Sequence, residues 1–274
     1  MALTPCLSQV TTLPSAFDAD LRAYGQVGCT AVEVWLTKLE TFLETHSIVD
    51  VKRLVAEREL TLAAASVHGG ILLAQGDARQ EGFALLSRRL DLCGTLRVPT
   101  LVLAADFTDD INMMDYERAV VSLKQAAQMA RDRGTRLALE FQGRTGFCNN
   151  LGSALSLVEH CGEPDVGVCF DVFQYYTGPS KFEDLAHLTR GNLFHVQLSD
   201  LAGVPRELAT DSDRVLPGDG DFQLQPILDH FRSIGYDRFV SVELMNPQIW
   251  QLAPEQVAEV AITALRKLLG TAHA

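Results

Sequence analysis

RLALEF at 136–141, VGVCFD at 166–171 and LFHVQLSD at 193–200 are three short apolar runs of one design. Each has the length and the branched or aromatic content of a buried strand, and each carries polar or acidic residues at or next to its end. Between them, 151–161 and 182–189 carry apolar residues at helical spacing. Working outward, TLVLAA (100–105) precedes a helix over 115–134 that stops at Gly134. LTLAAASV (60–67) precedes a long helix over 76–95, on which Phe83, Leu85, Leu86 and Leu90 recur with helical period. AVEVW (31–35) leads into helical segments at 37–44 and 48–57. The weakest strand, CLSQV (6–10), is followed by a helix over 15–27 opened by Ser15. Downstream, a helix over 224–234, RFVSVEL (238–244) and a last helix over 254–269 complete the series. Eight strands alternating with helices, and no long Pro/Gly/Ser-rich linker, predict an α/β chain folded as a single (β/α)8 TIM barrel spanning 1–274. A doubly wound open sheet is the alternative, but no GxGxxG or GxxxxGK[ST] follows any strand.

Composition agrees with a compact enzyme-sized chain. The 274 residues are 47% hydrophobic and 21% charged, a content that excludes disorder and collagen-like repeats. At this size folding buries roughly three quarters of the unfolded surface, so no disulfide or metal staple is needed. The 35 acidic and 23 basic side chains give a net charge of −12, with no basic run longer than two residues. That balance argues against a nucleic-acid partner held through phosphates. Cys6, Cys29, Cys93, Cys148, Cys161 and Cys169 are scattered without a CxxC pair, which predicts reduced thiols in a cytoplasmic protein. The opening MALTPCLSQVTTLPSAF lacks the regions of a signal peptide, and no apolar stretch is long enough for a membrane span, so no membrane partner is expected.

In such barrels chemistry sits at the carboxyl ends of the strands, so the polar residues closing the apolar runs are the informative ones. Glu140 stands next to the end of LALEF, Asp171 ends VGVCFD, His195 and Gln197 lie in FHVQLSD, and Glu243 stands next to the end of VSVEL. They fall on the fifth to eighth strands, neighbours in a barrel. Carboxylates gathered in a partly desolvated mouth repel one another, and a divalent cation removes that penalty. Carboxylate oxygens with one neutral N or O ligand suit Mn2+, Mg2+, Co2+ or Zn2+. For each acid alone, capping the next helix is an equal reading; four such positions in register favour a metal. His195 and Gln197 point the same way from a strand, so either can be the fourth ligand, and spacing alone favours the imidazole. Glu33 and His68 occupy the mouth ends of the second and third strands. His68, followed by Gly69 and Gly70, either contacts a substrate or closes its loop. Arg214, in the loop DSDRVLPGDGD, either clamps a substrate oxygen or pairs with neighbouring aspartates. Trp35, Trp250 and Phe173 could wall a sugar ring, against a default of core packing. There is no GxSxG elbow and no HExxH, and His160 with Cys161 reads as mid-helix packing.

These motifs together resemble the xylose isomerase-like TIM barrels, a group of sugar and polyol isomerases, epimerases and dehydratases. The resemblance runs from TTLPSAF through EVW, LALEF and FDVFQ to the TDSDRVLPGDGD loop and VSVELMNP. In the DRVxPGxG loop and the following SVEL-x-x-P the chain looks most like the inosose isomerase type, and its HxQ on the seventh strand is similar to hydroxypyruvate isomerases. The resemblance implies a divalent metal held by Glu140, Asp171, Gln197 and Glu243, with His195 behind Gln197. Substrate contacts are expected from His68, Gln174, His195 and Arg214. One departure stands out: where the family commonly has D-x-F-H on the sixth strand, this chain has Asp171-Val172-Phe173-Gln174.

The reaction suited to this set is a 1,2-proton shift in a sugar, keto-polyol or small hydroxy-carbonyl compound, through an enediolate. Glu140 and Glu243 would remove and return the proton, while the cation polarises the oxygens. A dehydratase of the inosose or dehydroshikimate type is the nearest rival on the same site. A non-catalytic sugar-binding barrel and an AP-endonuclease-like hydrolase are weaker, the latter because it wants a histidine-rich zinc cluster and a basic face. A homo-oligomer is compatible with the sequence, which names neither the substrate nor the metal.

Overall fold

A computed structural model describes residues 3–271. Along the chain its strands are β1 (Thr4–Ser8), β2 (Ala31–Trp35), β3 (Thr61–His68), β4 (Thr100–Ala104), β5 (Arg136–Glu140), β6 (Val166–Asp171), β7 (Leu193–Leu198), β8 (Asp200–Leu201), β9 (Arg214–Val215) and β10 (Phe239–Val242). Eight of them form a closed parallel barrel in the order β1-β10-β7-β6-β5-β4-β3-β2, and β8 pairs antiparallel with β9 beside it. The expected (β/α)8 architecture is therefore the observed one; the eighth barrel strand is β10. None of the described helices is long and apolar enough to cross a membrane.

Two compact units divide the chain, Met1–Ala64 with Val196–Ala274, and Ala65–His195. In the first, β1 pairs with β2 and β10, and β10 with β7, in a register that sets Ser8 opposite Glu33, Cys6 opposite Ser241 and Gln197 opposite Ser241. Cys6, Ala31 and Ala63 pack together with Phe239, small side chains that let the strand interior close. The segment after β1 is held by a buried ion pair. Lys38 Nζ donates to Asp20 Oδ2 at 2.6 Å and to the carbonyls of Gln9 and Thr12 at 3.0 and 2.7 Å. Burial pushes the Asp20 carboxyl up and the Lys38 ammonium down, and each is opposed by the other's charge. In the second unit, β3 to β6 pair in sequence, with Ala104 opposite Glu140 and Glu140 opposite Cys169. Val102, Ala138, Cys169 and Phe194 form its small core cluster, with Val67 against it.

The helices Ile48–Glu57, Leu151–Cys161 and Pro254–Leu269 have the predicted ends, each with a strong stop or start signal. Ser47 and Asp50 form a capping box, Gly162 and Gly270 take left-handed caps, and Pro254 occupies the first turn. Elsewhere the boundaries move. The first strand runs over Thr4–Ser8 instead of 6–10, and it ends at Ser8 because Gln9–Thr12 turns into a 3-10 helix tied down by Lys38. The following helix starts at Phe17 behind Ala16, so Ser15 does not open it. Segment 182–189 is instead a 3-10 turn over Phe182–His187, within which Leu185 alone is buried, too little to hold two α turns. The α-helix that follows β6 is Val172–Thr177, opened by Asp171 itself. Six residues give no readable helical period, so this helix was not visible in the sequence.

Candidate functional site

Gln197, in β7, is fully buried, and its amide nitrogen donates to Glu33 Oε1 and to Glu243 Oε1, both at 2.8 Å. The second oxygen of Glu243 accepts from Arg214 Nη1 at 3.1 Å. Arg214, itself 1% exposed, also grips Asp211 Oδ1 through Nε at 2.9 Å and Nη2 at 2.6 Å. Of the aspartates around Arg214, Asp211 is thus its ion-pair partner alongside Glu243. The Glu243 backbone is fixed too: its N–H donates to Leu198 O at 3.0 Å, one bond beyond the end of β10. Leu244 N then turns to Thr11 Oγ1 at 3.1 Å.

In the other unit Glu140 is the last residue of β5 and Asp171 the last of β6, both buried. Asp171 Oδ1 accepts from Phe173 N at 2.7 Å, so this acid does cap the next helix, the modest role open to any acid at a strand end. That bond uses one of the several acceptor positions a carboxylate offers. Gln174, on the same short helix, accepts from Gly143 N at 2.9 Å through Oε1. His195 in β7 and His68 at the end of β3 are both buried.

Oxygen atoms of Glu140, Asp171 and Glu243 all lie within 4.8 Å of one another. Three buried carboxylates at that spacing carry more negative charge than Arg214 alone offsets, and the cost of leaving them so is several kcal/mol of desolvation and repulsion. The spacing and the oxygen donors fit a divalent cation. With this arrangement in view, the match over residues 21–268 to the family model described as xylose isomerase-like TIM barrel decides the family. The chain belongs to the xylose isomerase-like TIM barrels.

Among proteins similar to this xylose isomerase-like barrel, the inosose isomerase of Halalkalibacterium halodurans is 26% identical over 261 residues, 93% of each chain. A crystal structure of the IolI protein with a bound zinc atom has a TM-score of 0.93, covers 99% of this chain and 100% of that one, and is 24% identical. D-psicose 3-epimerase from Clostridium cellulolyticum H10, solved with D-tagatose, has a TM-score of 0.79 at 18% identity, covering 99% and 100%. At these identities the two structures speak for the barrel fold.

Of the sequence candidates, the barrel brings Glu140, Asp171 and Glu243 together, and Gln197 and Arg214 are hydrogen-bonded to Glu243. Gln174 is bonded instead to the loop after β5. Trp35 lines a cleft of about 410 Å³ with Phe17, Phe42 and Lys38, while Trp250 Nε1 donates to Val10 O at 3.0 Å and Phe173 is buried. Glu33 was legible only as an acid at a strand mouth. The stronger signal was a charge flanked by valines in AVEVW, where a carboxylate has to find a buried partner. Asp200, the final residue of LFHVQLSD, carries no signal that sets it apart from any polar strand terminus, yet it accepts from three backbone N–H groups.

Proposed function

We propose that this barrel is a divalent-metal-dependent isomerase or epimerase of a sugar, keto-polyol or small hydroxy-carbonyl compound. The carrying observation is the convergence of Glu140, Asp171 and Glu243 to within 4.8 Å in a buried setting. Full-length similarity to an inosose isomerase supports the reaction class. Residues 1–274 are taken as one domain, in keeping with a single family model that matches 21–268. The protein is placed in the cytoplasm, in keeping with six cysteines that are all free thiols.

Glu140, Asp171, Gln197 and Glu243 would hold the cation, Mn2+, Mg2+, Co2+ or Zn2+. When bound, it supplies Lewis acidity toward a carbonyl and its neighbouring hydroxyl, which acidifies the C–H between them. The chain's own part is proton transfer. Glu140 and Glu243 come from β5 and the end of β10, with β6 and β7 between them in the barrel order, so they can address a substrate from two sides. One removes the proton and the other returns it to the adjacent carbon or the opposite face. Arg214 orients the Glu243 carboxylate through its Oε2. His68, His195 and Gln174 are assigned to substrate hydroxyls. Gly143 N donates to the Gln174 oxygen and so orients the amide, whose NH2 group and second oxygen lone pair can meet a hydroxyl.

The test is turnover of ketoses, inososes and hydroxypyruvate in D2O by metal-reconstituted protein, followed by NMR. Deuterium entering the carbon skeleton without loss of water is expected; loss of water identifies a dehydratase instead. Glu243→Gln should keep the cooperative unfolding transition and lose at least about a thousandfold in kcat. Near-normal turnover by that variant would sink the assignment.

A further inference from the structure

The amide of Gln197 is held more firmly than a ligand needs to be. Its Nε2 carries two hydrogens, and each has a carboxylate acceptor at 2.8 Å, one on Glu33 and one on Glu243. Turning the amide over would set its oxygen against both carboxylates, exchanging two attractive contacts for two repulsive ones. Glu33 and Gln197 are both 0% exposed, so water cannot substitute for the lost bonds. An amide binds a cation through oxygen, because its nitrogen lone pair is delocalised into the carbonyl. Glu33 cannot itself be replaced by solvent in this role, and it is fixed on β2 with Ser8 opposite it on β1.

We propose that Glu33 is a positioning residue that fixes the Gln197 amide, and that the resulting all-oxygen donor set of Glu140, Asp171, Gln197 and Glu243 makes this site favour Mn2+ or Mg2+ over Zn2+ more than a histidine at 197 would. This rests on the metal-dependent reading above. The chemistry is donor hardness: carboxylate and carbonyl oxygens suit Mg2+ and Mn2+, while imidazole nitrogen adds affinity for Zn2+. Zn2+ still binds more tightly than Mn2+ in absolute terms at most N/O sites, so the prediction concerns the ratio of the two affinities and its dependence on residue 197. The role of Glu33 belongs to the hydrogen-bonding shell that orients ligands, where loss of a partner costs 10- to 100-fold in metal affinity as an order of magnitude.

The experiment is equilibrium competition between the full-length protein and a chromophoric chelator for Mn2+, Mg2+ and Zn2+, in wild type, Glu33→Leu, Glu33→Gln and Gln197→His. Glu33→Leu is expected to weaken Mn2+ binding at least about tenfold, while Glu33→Gln, which keeps an acceptor oxygen, stays within about threefold of wild type. Gln197→His is expected to raise the Zn2+-to-Mn2+ affinity ratio at least about tenfold. An unchanged ratio in Gln197→His, or unchanged Mn2+ affinity in a folded Glu33→Leu, overturns the inference and leaves the metal-dependent reading standing. If Glu33→Leu does not fold, Glu33→Ala is read by the same criterion for the positioning role, and the Gln197→His ratio decides the donor set. Wild-type protein that binds none of the three cations overturns both.

Discussion

Arg214 is the largest side chain in the fully buried set, and a guanidinium so placed must be matched by negative charge. Its matches are Glu243, at 3.1 Å with 8% side-chain exposure, and Asp211, which is 46% exposed and screened by solvent. The buried half of this arrangement matters most for stability. Arg214→Met should destabilise the fold by about 3 kcal/mol, because Glu243 stays behind as a buried carboxylate without its cation. Adding Glu243→Gln removes that carboxylate's charge, so denaturant titration of the two single variants and the double should show a coupling of about 1–3 kcal/mol. Strict additivity would mean that the pair does not interact. From sequence, Arg214 stood between clamping a substrate and pairing with aspartates; the partner on Glu243 is 29 positions away, and no local pattern reveals it.

The stretch from β7 to the end of the DRVLPGDGD loop behaves as an element of its own. Asp200 Oδ1 accepts from Leu201 N and Phe222 N, both at 2.9 Å, and Oδ2 accepts from Gly218 N at 3.0 Å. The β8–β9 pair sets Leu201 opposite Arg214, so the same knot places the guanidinium. Gly220 fits only without a side chain: a Cβ there would lie 2.4 Å from Asp200 Oδ1 and from Leu201 O. Asp200→Ala removes three hydrogen bonds from a buried residue, and should cost about 2–3 kcal/mol. It should also let residues 202–222 be cut by protease before the barrel unfolds; global and local opening that remain coincident in hydrogen exchange would contradict this. The glycines and Pro217 were enough to read an ordered turn. Its anchor was not readable, because Asp200 lies at the end of the previous apolar run and resembles any polar strand terminus.

At the scale of the whole molecule the six cysteines are all buried free thiols. Burial pushes the thiols of Cys93 and Cys148 up to about 12, and those of Cys6, Cys29 and Cys161 upward as well. The unfolded thiols ionise near 9, so above that pH the native state binds more protons than the unfolded one. Their contribution to stability is therefore complete below about pH 9 and is lost as pH rises toward 12, at about 1.4 kcal/mol per unit for each fully shifted thiol. Denaturant midpoints should fall above pH 9, and a thiol reagent at pH 8 should label the native protein only after unfolding. Rapid labelling of the native chain would show that these sites are open.

The alternation of strands and helices, the barrel, and the residues that stand at the strand ends are all legible in the order of amino acids. Those properties depend on period, run length and stop signals within ten or twenty neighbouring residues. Only the tertiary structure decided that three of those acids meet within 4.8 Å, that Gln197 bridges Glu33 and Glu243, and that Asp171 both opens a helix and joins the cluster. Glu33 and Gln197 are 164 positions apart, and closure of the barrel is what makes them partners. Their strands are separated by β1 and β10 in the barrel order, so side chains pointing inward across the closed barrel meet without any pairing that a local pattern could show.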